Sequence, residues 1–167
     1  MLEAHAPQGD FVLAARCGKG PVALISAGVG LTPLLAMLHE LTTAAAATTT
    51  TTSPSIFWIH GARDGANHAF AGEVRALAAG NGNVKTHVVF SRPAVGDRCC
   101  VDFDARDRVD AGLVAELLGD VVADYFVCGP ATVMAAIQQD LGYRGVAHDR
   151  IHTESFGPAA HALDPRS

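Results

Sequence analysis

The sequence predicts an α/β fold, a five-stranded parallel sheet with helices on both faces. Three observations carry this. Five short apolar runs recur along the chain, at residues 22–25, 56–60, 84–90, 121–128 and 150–155. Such runs, apolar throughout, are the pattern of strands buried on both faces of a parallel sheet. Helical patterns separate the runs, and strand–helix alternation implies right-handed crossovers. Finally, the residues with chemical character collect just after the runs, where open parallel sheets bind their ligands.

The chain has 167 residues, of which 49% are hydrophobic, which suits one domain with a real core and excludes a disordered chain. The apolar runs are too short to span a membrane, so a soluble protein is expected. No basic region precedes an apolar stretch at the N-terminus, which argues against a secretory signal. The formal net charge is −5 with no basic block, so nucleic acid is not the expected partner. The cysteines are Cys17, Cys99, Cys100 and Cys128, with no C-x-x-C spacing. A reduced, cytoplasmic protein is therefore expected.

Taken in order, Gln8-Gly9-Asp10 reads as a turn, residues 11–15 as a short strand, and Gly18-Lys19-Gly20 as a second turn. Residues 22–25 form the first buried strand. It meets Gly28-Val29-Gly30, followed by Leu31, Thr32 and Pro33 and an amphipathic helix. Glycines at this turn let a ligand approach the main chain, and Pro33 suits a first helical turn. The N–H groups of that turn, at the positive end of the helix dipole, make a seat for phosphate. Pro33 stands where G-x-G-x-x-G would need Gly or Ala, so these residues alone leave two readings open: a phosphate seat, or an ordinary strand–helix turn.

Ala44 to Ala47 extend the helix, whereas the threonines at 48–52 do not and read as a surface loop. The second strand ends at Gly61-Ala62-Arg63, and a helix is expected over 68–79 with Phe70, Val74 and Leu77 on one side. The third strand, 84–90, ends at Ser91-Arg92, and residues 94–109 are polar and turn-rich. Asp110 is placed to cap a helix over 111–118. The fourth strand ends at Cys128, Gly129-Pro130 opens a helix through Leu141, and Gly142 stops it. The fifth strand closes on Glu154-Ser155-Phe156-Gly157-Pro158.

Together these motifs resemble the nicotinamide-binding half of the ferredoxin–NADP reductase superfamily. The branch they are most similar to is the reductase part of flavohemoglobins. Ile25 to Pro33, His60 to Arg63, His68 to Phe70, Tyr125 to Pro130 and Ile151 to Pro158 recur there in this order. Thr153, where flavohemoglobins usually have Tyr, is shared with a second branch that joins this reductase to a molybdenum-cofactor sulfurase C-terminal-like or pyridoxamine-oxidase-like domain and a plant-type ferredoxin. The family carries a flavin-binding β-barrel before this domain, and residues 6–11 match only its tail. Residues 1–20 are then the remnant of a barrel strand, 21–158 the NAD(P)-binding domain, and 159–167 a loose tail.

The resemblance implies a role for each rim residue. Gly28, Val29, Gly30, Leu31, Thr32 and Pro33 would hold the pyrophosphate of NAD(P)H. Ser91 and Arg92 would meet the adenosine ribose or its 2′-phosphate, with Arg63 a second candidate. Cys128, Gly129 and Pro130 would lie beside the nicotinamide, with the thiol placing C4 against flavin N5 and not acting as a nucleophile. Glu154 would serve an electron or proton path. Phe156, with Ser155, Gly157 and Pro158, would cover the flavin ring. The implied cofactors are NAD(P)H and an FAD held largely by a domain absent from this chain. The implied partners are that flavin domain and a haem or iron–sulfur acceptor, with no membrane.

Several readings stay open. The coenzyme can be NADH or NADPH, and a truncated, non-catalytic nucleotide-binding module is the alternative to a reductase. An ordinary Rossmann dehydrogenase fits less well, because no acidic residue closes the second strand. His148 and His152 are four apart, but residues 150–155 read as strand and not as the helix such a pair needs, and His60 and His68 flank a loop with no third ligand nearby, so no metal site is expected. Gly-x-Ser-x-Gly is absent, so no serine hydrolase is implied.

Overall fold

A computed structural model of the chain describes residues 11–15, 20–47 and 53–154. The five strands are β1 (Val22–Ala27), β2 (Ile56–Ala62), β3 (Val84–Phe90), β4 (Asp124–Cys128) and β5 (Ile151–Glu154). All pair in parallel, in the order β3-β2-β1-β4-β5. The helices are α1 (Leu31–Ala47), α2 (Ala71–Gly80), α3 (Ala111–Leu118) and α4 (Ala131–Tyr143). The expected doubly wound sheet is therefore what the chain forms. Its strand order reverses between β1 and β4, and that reversal opens the crevice in which open α/β sheets bind ligands.

Alternation along β1 explains the two layers. Val22 and Leu24 point to one face and pack with Trp58, Phe126 and the α1 residues Leu34 and Leu38. Ala23 and Ile25 point to the other and pack with Leu113, Val114 and Leu118 of α3 and Met134, Ile137 and Leu141 of α4. A central strand covered by helices on both faces must be apolar at every position, and Val22 to Ile25 are fully buried. The apolar surface removed from water on the two faces is the main favourable term in holding the layers together.

Asp110 caps α3 as expected, its carboxylate accepting from the Leu113 N–H at 2.8 Å. Asp110→Ala is expected to lower stability by about 1 kcal/mol, since it leaves an orphan donor at the helix start. Urea unfolding measures this, and an unchanged midpoint would show that water replaces the cap at no loss.

Several expectations are corrected. Residues 11–15 do not form a strand. Leu13–Ala15 is a 3-10 turn, and Phe11 instead sets its ring edge-on against Phe126 at 5.7 Å. An apolar segment without a strand beside it has no ladder for its backbone groups, so it docks by its side chains. The second helix begins at Ala71, not His68. The His68 ring stacks on His60 at 5.0 Å and meets the Phe90 edge at 5.7 Å, which holds residues 68–70 outside the helix. Phe70 then turns the chain with φ +57° and is half exposed, not on the buried side of α2.

β4 begins at Asp124: the chain leaves α3 through a turn closed by the Val121 N–H donating to the Leu118 carbonyl, and Val121–Ala123 is extended chain outside the ladder. Gly142 lies inside α4, and the chain leaves the helix through Gly145 at φ +81°. Residues His148–Arg150 form a 3-10 turn, so β5 starts one residue later than expected. The alanines do extend α1 to Ala47. The expectations for 1–10, 16–19, 48–52 and 155–167, including the threonine loop and the closing Ser155-Phe156-Gly157-Pro158 segment, lie outside the described residues. Among the described residues no helix is long and apolar enough to cross a membrane.

Candidate functional site at the carboxyl rim of the sheet

The ends of β1 and β4 are pinched together. Ser26 is in register with Cys128, so the turns leaving both strands emerge side by side at the strand-order reversal. Gly28–Gly30 is a 3-10 turn that runs straight into α1. Gly28 takes φ +61°, a conformation that favours glycine. Gly30 is needed for a different reason: a Cβ there would meet the Cys128 carbonyl and the Gly129 nitrogen inside 3.0 Å. Gly129 answers from the other strand, where a Cβ would stand 3.2 Å from the Cβ of Ala27. Two main chains therefore pass in contact, and the first turns of α1 and α4 open beside each other.

Each of those first turns carries N–H groups without intrahelical partners. Together they put two positive dipole ends at the same rim of the sheet. Thr32 is exposed in the α1 turn, its hydroxyl 3.5 Å from the Val29 carbonyl. Pro33 is half-buried in the same turn, and Val29 projects from the preceding 3-10 turn with 77% of its surface exposed.

A cavity of about 350 Å³ lies along this rim, lined by Ala27, Gly28, Arg63, Ser91, Arg92 and Arg108 among others. A second hollow of about 280 Å³ shares Gly28, Ala62 and Arg63 with it and continues past Leu31, Thr32, Asn67 and Phe70. Of the rim residues named from sequence, Gly28, Arg63, Ser91, Arg92 and Pro130 line the first hollow and Val29, Leu31 and Thr32 the second, whereas Gly30, Pro33, Cys128, Gly129 and Glu154 line neither. Ser91 and Arg92 are fixed there by backbone bonds, with their N–H groups donating to the carbonyls of Ala62 and Arg63 at 3.0 and 2.8 Å. Arg63 is exposed and sits 3.7 Å from the partly buried Asp64, in a pair that solvent screens on the arginine side.

Arg108 is not among the residues that the sequence singles out. It lies 16 positions beyond Arg92, within a stretch that reads only as turn-rich. The connection after β3 doubles back on its own strand, with the Phe90 N–H donating to the Ala105 carbonyl at 3.1 Å and the Asp107 N–H to the Phe90 carbonyl at 3.2 Å. That return brings Arg108 to the cavity and packs Val109 against Gly61. No local signal in the sequence marks it.

Cys128 is 1% exposed and packs on the α1 face of the sheet beside Leu24 and Phe126. Burial, and then the neighbouring Glu154 charge, push its thiol up to about 11, so it stays protonated at neutral pH. Glu154 ends β5 in register with Cys128 and is exposed. Next to this pair, buried His60 shares a 2.8 Å hydrogen bond between its Nδ1 and the Ser26 hydroxyl. Burial and then His68 depress the His60 pKa to about 3, so the ring is neutral. His60 and His68 stack on each other, and among the described residues no group of three or more His, Cys, Asp or Glu side chains surrounds a common point.

A doubly wound sheet with two glycine-shaped turns at its reversal and an arginine-lined groove beside them defines a dinucleotide-binding domain. The chain belongs to the oxidoreductase NAD-binding domain family, which matches residues 24–139. It is 40% identical over 157 residues to a flavohemoprotein of Bordetella pertussis, covering 94% of this chain and 37% of that protein. It is 34% identical over 159 residues to a flavohemoprotein of Halalkalibacterium halodurans, covering 95% of this chain and again 37% of the relative. The chain thus spans a little over a third of the length of these relatives. The FAD/NAD-binding domain of the nitric oxide dioxygenase of Vibrio cholerae superposes with a TM-score of 0.67 at 29% identity, over 92% of this chain and 57% of that one. The CS-b5R domains of human Ncb5or share the fold, with a TM-score of 0.71 at 17% identity over 89% of this chain and 40% of that one. The resemblance to the ferredoxin-reductase-like part of flavohemoglobins is borne out, and with it a nicotinamide nucleotide as the cofactor of this domain.

Proposed function

We propose that residues 21–158 form the nicotinamide half of a cytoplasmic flavin reductase, laying NAD(P)H along the carboxyl rim and presenting its nicotinamide to an FAD held mainly by another domain. The observation that carries this reading is the paired turn at the β1–β4 reversal, where Gly30 and Gly129 let the two main chains pass in contact, an approach that any side chain would block. The main-chain N–H groups of residues 28–32 bind the pyrophosphate, helped by the α4 dipole. Cys128, Gly129 and Pro130 form the floor beneath the nicotinamide. The thiol, protonated and buried, contributes shape and not nucleophilicity. Glu154 closes the site next to it, with Ser155, Phe156, Gly157 and Pro158 following as the cover of the flavin.

When bound, the reduced nicotinamide supplies a hydride from C4 to the flavin, the chemistry of the cofactors and not of the protein. In the reading that follows the flavohemoprotein relatives, the electrons then go to a haem domain serving nitric oxide detoxification. An iron–sulfur partner is the alternative acceptor.

Arg63, Arg92 and Arg108 gather at the adenosine end of the groove. A phosphate held by guanidinium groups gains charge-assisted, forked hydrogen bonds, whereas a ribose hydroxyl gains little. NADPH is therefore the proposed coenzyme. Calorimetric titration with NADPH and NADH, with and without FAD, tests both levels. Arg92→Ala with Arg108→Ala should weaken NADPH roughly 100-fold and leave NADH within a factor of a few. An equal loss for both coenzymes would remove the 2′-phosphate assignment. Failure of the unaltered chain to bind either nucleotide, even with FAD, would remove the function itself.

A further inference from the structure

The connection between β3 and α3 holds a second chemical feature, apart from the groove. Cys99 and Cys100 are both exposed, and their Sγ atoms lie 3.4 Å apart. Successive side chains on an extended backbone point to opposite sides. Here Cys100 takes φ +63°, a region that non-glycine residues rarely enter, and the two thiols face the same way. The turn that imposes this is well tied. The Cys100 N–H donates to the Phe103 carbonyl at 2.7 Å, and the Asp102 N–H to the Arg98 carbonyl at 2.8 Å. The Arg98 N–H donates to the Asp102 carboxylate at 3.0 Å. Phe103 anchors the turn, buried and stacked on Phe90 at 4.8 Å.

Closing the pair as a disulfide is unfavourable. The sulfurs would have to approach to about 2.05 Å while a trans peptide holds the Cα atoms about 3.8 Å apart, below the usual range for disulfides. The spacing instead suits two ligand positions on one soft centre. For metal–sulfur bonds of about 2.3 Å the edge of a tetrahedron is about 3.8 Å, and a narrower bite shortens it. A zinc ion takes three or four protein ligands, and among the described residues no third His, Cys, Asp or Glu side chain completes such a group. A trivalent metalloid that needs only two sulfurs from the protein fits the pair better. The Cys100 thiol is held above its ordinary range, first by its hydrogen bond with Cys99 and then by that neighbour's charge.

We propose that Cys99 and Cys100 form a bidentate dithiol site for a thiophilic trivalent metalloid of the arsenite class. With an aryl arsenoxide, both S–H bonds and the arsenic–oxygen double bond break and two As–S bonds form. The two protons leave with the oxygen as one water. Arsenic stays trivalent, and no oxidant or reductant takes part.

The test uses the whole chain, reduced, with phenylarsine oxide. The expected product is one adduct per chain that has lost one water, with two thiols masked and both mapped to the Cys99–Cys100 peptide. A monothiol in excess should leave it intact and a dithiol should strip it. Cys99→Ser and Cys100→Ser should each weaken binding about 100-fold, because the second As–S bond forms within one molecule. Cys17→Ser should bind as the parent does, and circular dichroism checks the fold of every variant. Parental affinity in either Cys99→Ser or Cys100→Ser would overturn the proposal. So would an adduct that a monothiol removes, or thiol loss with no arsenic retained.

Discussion

Gly30→Val is expected to abolish binding of both NADPH and NADH and to destabilise the fold by several kcal/mol. The new Cβ would fall inside 3.0 Å of the Cys128 carbonyl and the Gly129 nitrogen. Those are backbone atoms at the end of a central strand, with Ser26 and Cys128 in register, so neither side can rotate away. The β1 and β4 ends must separate, and that moves the first turns of α1 and α4 apart. The pyrophosphate seat depends on their proximity, so binding and stability fall together. Gly30→Ala carries the same first atom and should show the same effect in milder form.

Gly28→Ala provides the contrast. Its Cβ would meet nothing within 4 Å, and only the φ of +61° opposes it. A left-handed alanine costs about 1 kcal/mol, far less than a clash between main chains. Urea unfolding and calorimetric titration on the three variants decide the matter. A Gly30→Val chain with parental stability and affinity would show that the two turns are not in obligatory contact.

The second large effect concerns acid. His60 is fully buried and neutral, bonded to Ser26 and stacked on His68, with Trp58 on its other flank. Its pKa is about 3, against 6.5 for the exposed side chain, because burial disfavours the imidazolium and His68 adds to this. His68 is lowered in the same direction, by burial and then by Arg75. A depressed histidine pKa means that the unfolded chain binds the proton first. Stability is therefore fully present above pH 6.5 and is lost as the pH falls toward 3. The shift corresponds to roughly 3–5 kcal/mol across that window.

His60→Asn keeps a polar atom near the Ser26 hydroxyl and removes the titration. It should be less stable than the parent at pH 7, yet flatten the fall in stability between pH 6.5 and 4, leaving the His68 contribution. Urea unfolding at a series of pH values measures both slopes. Parallel curves for the two proteins would show that His60 takes up its proton as readily folded as unfolded.

Much of this molecule was legible along the chain because its signals are local. The apolar runs of β1, β2 and β3 and the alternation with helices define a parallel sheet without reference to anything distant. Asp110 before an apolar helical pattern is a cap whose geometry spans only three residues, and it bonds to Leu113 as read. Gly28, Gly30 and Gly129 follow strand ends, and strand ends in such a sheet share one rim by topology. The ordered motifs also pointed to the family, since each is a short constellation around one such end.

The tertiary structure decided what depends on contacts between distant residues. Phe11 reads as strand, but among the described residues no strand pairs with it, and its ring packs edge-on against Phe126. His68 reads as helix, and the stack on His60 takes it out. Arg108 joins Arg92 only because the chain after β3 hydrogen-bonds back onto Phe90. Cys99 and Cys100 face one way only because Phe103 anchors their turn. Local sequence sets which φ and ψ a segment prefers and which of its faces is apolar. Where two such preferences compete, or where a side chain finds its partner elsewhere in the fold, packing free energy chooses, and the local pattern alone does not rank the outcomes.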